Sequence, residues 1–292
     1  MKTNDKKAIA SFWVVSDLHL TENDDQIFNQ NFKAMLEDVV ACDKKALGVF
    51  AVGDLTDGGR SEQYEALHRL YGAVEGLPPL YAAIGNHDFG RGTYEEKRDL
   101  FLANIDLPNG EHPESLHYDF WKDGYHFVFL GSDTLPIGGL KTRLLPTTLS
   151  WLETTLSEKR SATRPTFLFL HQSLYDTVAG SLCGQGWNGV SDEEPLREVL
   201  AKFPEVIFFN GHSHWTMDSE RNAYFPTDSF PKIFNTASVA YLWTSERIVE
   251  GERLEGSQGY LVEVYANCIT LRGRDFTKGE WIAKADYRIP LN

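Results

Sequence analysis

Five short apolar runs punctuate this chain: Phe12–Ser16, Leu47–Val52, Leu80–Ile84, Thr166–Leu170 and Val206–Phe209. Each is continuous rather than alternating, the pattern of a strand covered on both faces. The stretches between them have helical spacing instead. Phe28, Phe32, Met35, Leu36 and Val39 share one face of a helix over 24–41. Tyr64, Leu67, Leu70, Tyr71 and Val74 repeat the pattern. Thr93-x-x-Glu96 reads as a capping box opening a helix through Asn104, and Ser191-x-x-Glu194 as one opening a helix through Lys202. Leu149, Leu152 and Leu156 mark a further helix. Such alternation restricts the chain to α/β units. Two hairpins are expected as well, His117–Trp121 with Tyr125–Ser132 and Gly259–Ala266 with Cys268–Arg274, so there should be two sheets with antiparallel parts. No repeat, low-complexity tract or linker interrupts the 292 residues. A single domain over 1–292 with a sizeable core is expected.

The strand ends carry the chemistry. The first run leads into Ser16-Asp17-Leu18-His19 and the second into Gly53-Asp54-Leu55-Thr56-Asp57. The third leads into Gly85-Asn86-His87-Asp88, the fourth into His171, and the fifth into Asn210-Gly211-His212-Ser213-His214. Open α/β sheets bind ligands at the carboxyl ends of their strands. Here those ends deliver Asp17, His19, Asp54, Asn86, His87, His171, His212 and His214 to one rim. Carboxylate and imidazole together suit divalent Mn, Fe or Zn. Eight such groups exceed the needs of one ion. They fit two, with one carboxylate between them and one group left for proton transfer. Asp17 and His19 are two apart on an extended segment and can lean toward the same ion; His212 and His214 repeat that spacing. Any one of these residues alone would read as a turn, cap or hydrogen-bonded structural group. Five such motifs, each closing an apolar strand, do not. His68, His112, His117 and His126 have no such setting and read as structural or surface residues. Asp57 and Asp88 either hold a ligand in place or cap the helices that follow.

In this order, D-x-H, G-D-x-x-D, G-N-H-D, a lone strand-end His and G-H-x-H resemble the calcineurin-like metallophosphoesterase family, over Asp17 to His214. The resemblance extends to the branch acting on cyclic nucleotides and glycerophosphodiesters. One departure exists: several cyclic-nucleotide enzymes of the family carry a His-His-Pro type segment where this chain has His171-Gln172-Ser173-Leu174. The resemblance implies a four-layer α/β/β/α sandwich of two mixed sheets and a two-metal centre. It implies that Asp17, His19 and His214 hold one ion, that Asn86, His171 and His212 hold the other, and that Asp54 bridges both. It gives His87 to the substrate phosphate as charge stabiliser or proton donor, with Asn86 beside it.

The reaction so implied is hydrolysis of a phosphoric ester by a metal-activated water, most naturally a small phosphodiester. A phosphomonoesterase or nucleotide pyrophosphohydrolase would use the same centre. A binding scaffold without activity would be expected to have lost ligands, and none is missing. Two ions carrying +4 against two carboxylates leave the centre about +2. That field draws in a small phosphate despite a formal net charge of −14. The same −14, with no Lys/Arg-rich stretch, argues against long nucleic acid as a partner. Arg60, Arg91, Tyr175, Trp187, Asn188, Trp215 and Trp243 lie in loops after the motifs. Their aromatic rings either stack a substrate ring or pack the loops, and packing is the favoured reading; Arg91 is the candidate second phosphate contact. Leu135–Leu145 and Val178–Gly189 are Gly-rich loops, either lids or connections. Cys42, Cys183 and Cys268 form no CxxC or paired framework, which points to a reducing compartment. The apolar run Ala8–Val15 leads directly into Ser16-Asp17 and reads as a strand, not a signal peptide. No stretch approaches the roughly 18 apolar residues of a membrane span. A cytoplasmic protein without a membrane partner is therefore expected.

Overall fold

The computed structural model describes residues 7–43, 45–161, 163–187, 189–226, 229–244 and 251–291. The first half runs β1 (Ala10–Val15), α1 (Ile27–Asp43), β2 (Val49–Val52), α2 (Ser61–Gly72), β3 (Leu80–Ala83), α3 (Asn86–Phe89), α4 (Tyr94–Leu102), β4 (Tyr118–Lys122), β5 (Tyr125–Leu130), β6 (Thr142–Arg143) and α5 (Pro146–Ser157). The second half runs β7 (Thr166–Leu170), β8 (Val190–Ser191), α6 (Glu194–Leu200), β9 (Ile207–Asn210), β10 (Ala223–Tyr224), β11 (Lys232–Asn235), β12 (Leu242–Thr244), β13 (Glu252–Leu254), β14 (Gln258–Val264), β15 (Cys268–Asp275) and β16 (Glu280–Pro290). Two six-stranded sheets result, ordered β16-β15-β14-β1-β2-β3 and β10-β11-β9-β7-β5-β4. Both are mixed. β1, β2 and β3 are parallel, as are β5, β7, β9 and β11, while hairpins and meanders supply the antiparallel flanks.

Alternation along the strands builds the layers. Phe12 and Val14 of β1 point into the space between the sheets, where they meet Phe50, Phe127, Phe167 and Phe169. Trp13 and Val15, on the opposite face, pack with Phe32, Met35, Leu36 and Leu67 from α1 and α2. On the outer face of the second sheet, Val128, Leu130, Leu168 and Leu170 pack with Leu152, Leu156, Leu196 and Leu200 from α5 and α6. Three apolar layers thus separate four layers of backbone, the α/β/β/α sandwich. A strand with a sheet on one side and helices on the other has no wet face, hence the continuous apolar runs. Aromatic rings fill the middle layer, with Phe50 stacked 4.5 Å from Phe127 and Phe129 stacked 4.9 Å from Phe169.

Thr93 does cap α4: its hydroxyl accepts from Glu96 N, and the Glu96 carboxylate accepts from Thr93 N. The expected box at Ser191 does not form. Ser191 is extended, paired beside Arg143 in the short β6–β8 ladder, and α6 starts only at Glu194 with Glu193 before it. The first hairpin turns at Asp123-Gly124, both with positive φ (49° and 80°), as a tight two-residue turn requires. β11 and β16 have no counterpart in the apolar pattern. β11 is only four residues, and β16 pairs with β15 across a register shift at Arg272/Gly273 that breaks the period of two.

Candidate metal centre

The ends of β1, β2, β7 and β9, together with α3, converge on one rim. Asp17, His19, Asp54, Asn86, His171, His212 and His214 all lie there, and all are buried. Five of the seven have left-handed backbones: Asp17 (φ 54°), His19 (45°), Asp54 (50°), His212 (68°) and His214 (58°). Non-glycine residues rarely adopt that region, and such strain collects where side chains must be aimed. Cross-chain hydrogen bonds hold it. Asp17 N donates to Gly53 O at 3.1 Å and His19 N to Asp54 O at 3.0 Å. Ala240 N and the Ser238 hydroxyl both donate to Asp17 O at 3.0 Å. The two carboxylates are also gripped by backbone: His212 N donates to Asp17 Oδ2 at 3.0 Å and His87 N to Asp54 Oδ1 at 2.8 Å.

Two motif glycines are explained by this crowding. A Cβ at Gly85 would lie 2.1 Å from Asp54 Oδ1, and one at Gly211 would lie 1.8 Å from Ser16 Oγ and 2.4 Å from Asp17 Oδ2. Only a residue without a side chain lets these backbones approach the carboxylates.

The protonation of the imidazoles follows from their outer partners. His171 Nδ1 faces Val52 O, and His214 Nδ1 lies 3.1 Å from Tyr241 O. His19 Nδ1 lies 3.2 Å from Asp57 Oδ1. All three partners can only accept, so each Nδ1 carries a proton and each Nε2 is turned inward. His19 Nε2 and His214 Nε2 then oppose one another at 3.1 Å. His171 Nε2 lies 3.1 Å from Asp54 Oδ2, and His214 Nε2 lies 3.0 Å from Asp17 Oδ1. Asp17 Oδ1, Asn86 Oδ1 and His171 Nε2 are buried without a directed hydrogen bond. The Asn86 amide nitrogen donates to Gly139 O at 3.2 Å, which leaves Oδ1 facing inward. Imidazole nitrogens turned inward around two buried carboxylates make a set of groups that a bound cation would complete.

Three triads bring their ligand atoms within 4.8 Å: Asp17–His19–His214, Asp17–Asp54–His171 and His19–Asp54–His87. His212 joins none of them; its ring packs edge-on 5.2 Å from that of His171. Electrostatics follow the geometry. Burial works to raise the Asp17 pKa, but His214 and His171 outweigh it and hold it at about 2. Burial works to lower that of His171, yet Asp54 and Asp17 carry it to about 9. His212 is driven down to about 3 by burial and by His171, so its ring stays neutral.

Around these, Asp57 braces His19, and its carbonyl lies 3.0 Å from His87 Nδ1. Asp88 does not face the centre. It accepts from Leu55 N, Thr56 N, Thr56 Oγ1 and Gly85 N, tying the Asp54 loop to the start of α3. Arg91 is exposed in the turn before α4, and Arg60 pairs with Glu22 at 2.6 Å. Trp187 packs against both Trp215 and Trp243, ring centroids 6.4 and 6.3 Å away, and edge-on to His212. Asn188 lies outside the described residues. Tyr241 and Arg253 carry no signal in the sequence, yet both stand at the rim. The Tyr241 ring is 4.2 Å from that of His214, and the Arg253 guanidinium sits 4.2 Å over Tyr241 and 5.0 Å over Phe28. Tyr241 directly precedes β12 and Arg253 lies in β13, with no motif around either.

The sequence profile described as calcineurin-like phosphoesterase matches residues 10–216. No curated protein sequence matches the chain. Among solved structures, a dimetal phosphatase from Danio rerio superposes with a TM-score of 0.68 at 14% identity, over 98% of this chain and 100% of that one. A purple acid phosphatase from yellow lupin (Lupinus luteus) seeds gives 0.69 at 13% identity, over 98% of this chain and 54% of that one. A protein described as the anchor in the inner membrane complex of Plasmodium gives 0.66 at 15%, over 98% and 90%. At these identities the likeness is one of fold.

Proposed function

The chain belongs to the calcineurin-like phosphoesterase family and its reaction is metal-dependent phosphoester hydrolysis; from that premise we propose that it cleaves a small phosphodiester at a centre of two divalent ions. Asp17, His19 and His214 would hold one ion, Asn86, His171 and His212 the other, and Asp54 both. The observation that carries this reading is the convergence of inward-facing Nε2 atoms and carboxylate oxygens in one buried pocket. When bound, the ions supply Lewis acidity and lower the pKa of the attacking water.

The chain's own groups do the rest. Asp57 O fixes the His87 ring, whose other nitrogen is left for the departing oxygen. Burial opposes charge on His87, but Asp54 and the Asp57 carbonyl outweigh it and raise its pKa above the ordinary value. That shift favours the protonated ring, whose proton a departing oxygen can take. Arg253 is pinned by two ring faces and keeps its in-plane donors for a phosphate oxygen. One ring-held guanidinium, with aromatic and apolar surface beside it, suits a singly charged diester. A cytoplasmic site of action rests on three unpaired cysteines. Among the described residues no helix is long and apolar enough to cross a membrane.

The test is a pair of rates. Protein stripped of metal and reloaded with Mn²⁺ is given bis(p-nitrophenyl) phosphate and p-nitrophenyl phosphate separately. A preference for the diester is expected. A preference for the monoester would make it a phosphomonoesterase, and silence with Mn²⁺, Fe²⁺ and Zn²⁺ alike would overturn the reading.

Two further outcomes are expected. Gly211→Ala forces Asp17 away from its place, so metal content falls and turnover drops about 10²-fold while circular dichroism is unchanged. Normal metal content in that variant would contradict the crowding argument. Metal loading between pH 7 and 8 releases close to one proton, because His171 is protonated in the metal-free protein up to about pH 9 and must be neutral to bind. Affinity therefore weakens as pH falls below 9. The same shift stabilises the metal-free fold fully below 6.5, and that contribution is lost as pH rises through about 9. Calorimetry in two buffers of different ionisation heat reads the proton; identical heats would sink the assignment.

A further inference from the structure

The stretch between Asp133 and Glu153 contains no acidic residue, in a chain whose net charge is −14. Its only charges are Lys141 and Arg143. Before α5 begins at Pro146 it folds into a small hairpin, closed by Ile137 N donating to Lys141 O at 2.8 Å, with Gly138 and Gly139 at the tip in left-handed conformations (φ 63° and 76°). The hairpin stands on the rim of the metal centre. Gly139 O accepts from Asn86 Nδ2 and Leu140 O from Gln172 Nε2, next to His171, each at 3.2 Å.

Its outward surface is apolar. Leu135, Ile137, Leu140 and Leu145 are 42%, 43%, 47% and 37% exposed. They are four of the nine large apolar side chains that the described residues leave so open; a fifth, Tyr175 at 42%, follows His171 by four residues. Scattered exposed Leu or Ile needs no explanation, but a cluster on one acid-free hairpin beside a catalytic cleft does. Apolar side chains flanked by Lys and Arg match an anionic lipid interface, where the former sink among the acyl chains and the latter meet phosphates.

We propose that this hairpin docks the protein on an anionic lipid surface, and that the phosphodiester it cleaves there is that of an amphiphile. The substrate clause rests on the phosphodiesterase reading; the docking clause does not. It departs from the expectation of no membrane partner, which concerned only a spanning segment. A protein that lies on a lipid surface needs none. With the net charge carried by the rest of the chain, docking through this hairpin also sets the mouth of the centre toward the lipid headgroups.

The experiment is sedimentation with vesicles of phosphatidylcholine, with and without phosphatidylglycerol. Binding is expected only to the anionic vesicles and should fade with salt. The double variant Leu135→Ser/Ile137→Ser should bind about tenfold or more weakly, and Lys141→Gln and Arg143→Gln about fivefold each. None of these four side chains supports the core, and an unchanged melting temperature checks the fold. The same proteins are assayed on bis(p-nitrophenyl) phosphate, which has no acyl chain. Full turnover of that diester by the double variant, with lost turnover of a vesicle-borne phosphodiester, supports both clauses. Failure of the wild type on the soluble diester overturns the phosphodiesterase reading and leaves vesicle binding to be judged separately. Equal binding by wild type and double variant, or none by either, overturns the docking proposal. So does a dimer that the double variant dissociates, since the hairpin would then cover a second copy of the chain.

Discussion

Asp54→Asn is expected to lose bound metal and at least about 10³ of turnover. The side chain keeps its shape, so Oδ1 can still accept from His87 N, which donates to it at 2.8 Å. What it loses is charge. Asp54 Oδ2 lies 3.1 Å from His171 Nε2 and 3.6 Å from His19 Nε2, between the two groups of candidate ligands. Its carboxylate is buried and held well below its ordinary pKa, because His171 and then His87 outweigh the burial that would raise it. It is therefore ionised at neutral pH. In the proposed two-ion centre its loss removes the shared anion, and with it several kcal/mol of charge stabilisation, which is the 10³ or more. Metal analysis and kcat with Mn²⁺ read the result. There is also an internal control. Without the Asp54 charge the His171 pKa must fall, so the proton released on metal loading should disappear as well. A variant with full metal occupancy and normal rate would remove Asp54 from the centre.

His87→Ala should keep its metal and lose about 10²–10⁴ of rate, the usual range for a positioned general acid. The loss should grow as the leaving group becomes less acidic, since a good leaving group departs without a proton. A series of aryl phosphodiesters gives this as a steeper dependence of rate on leaving-group acidity. The pH profile supplies a second readout. A raised His87 pKa places the fall in rate on the alkaline side, where the donor has lost its proton. That limb should vanish in the variant for poor leaving groups only. His87 also belongs to a triad with His19 and Asp54 that brackets a possible ion position. If His87→Ala strips a metal, the side chain is a ligand and the proton donor must be sought elsewhere.

What was legible in the sequence was local. The five strands could be read because a layer buried on both faces must be apolar without alternation, and the pattern is short-range. The candidate ligands could be read because they close those strands; why Gly85 and Gly211 must be glycine shows only in the fold, where their backbones abut a carboxylate. β11 and β16 could not be read: four residues are too few to show a period, and the register shift at Arg272/Gly273 breaks the one β16 would have had. Ser191 carried a capping pattern, but pairing with Arg143 overrode it, as tertiary contacts commonly override a local preference.

The identity of the chemistry was therefore a property of the sequence by itself. Asp, Asn and His closing five apolar strands in one chain point as a set to divalent metal ions. The state of each group was decided only by the tertiary structure. The tautomers of His171 and His214 are set by the carbonyls of Val52 and Tyr241, and any residue placed there would offer the same oxygen. Arg253 and Tyr241 gain meaning only by lying against His214. The hairpin over Leu135–Leu145 becomes a rim only because Gly139 O meets Asn86. The physical reason is common to all of these. Backbone groups carry no residue identity, and contacts between distant segments leave no spacing, so only the folded chain holds them.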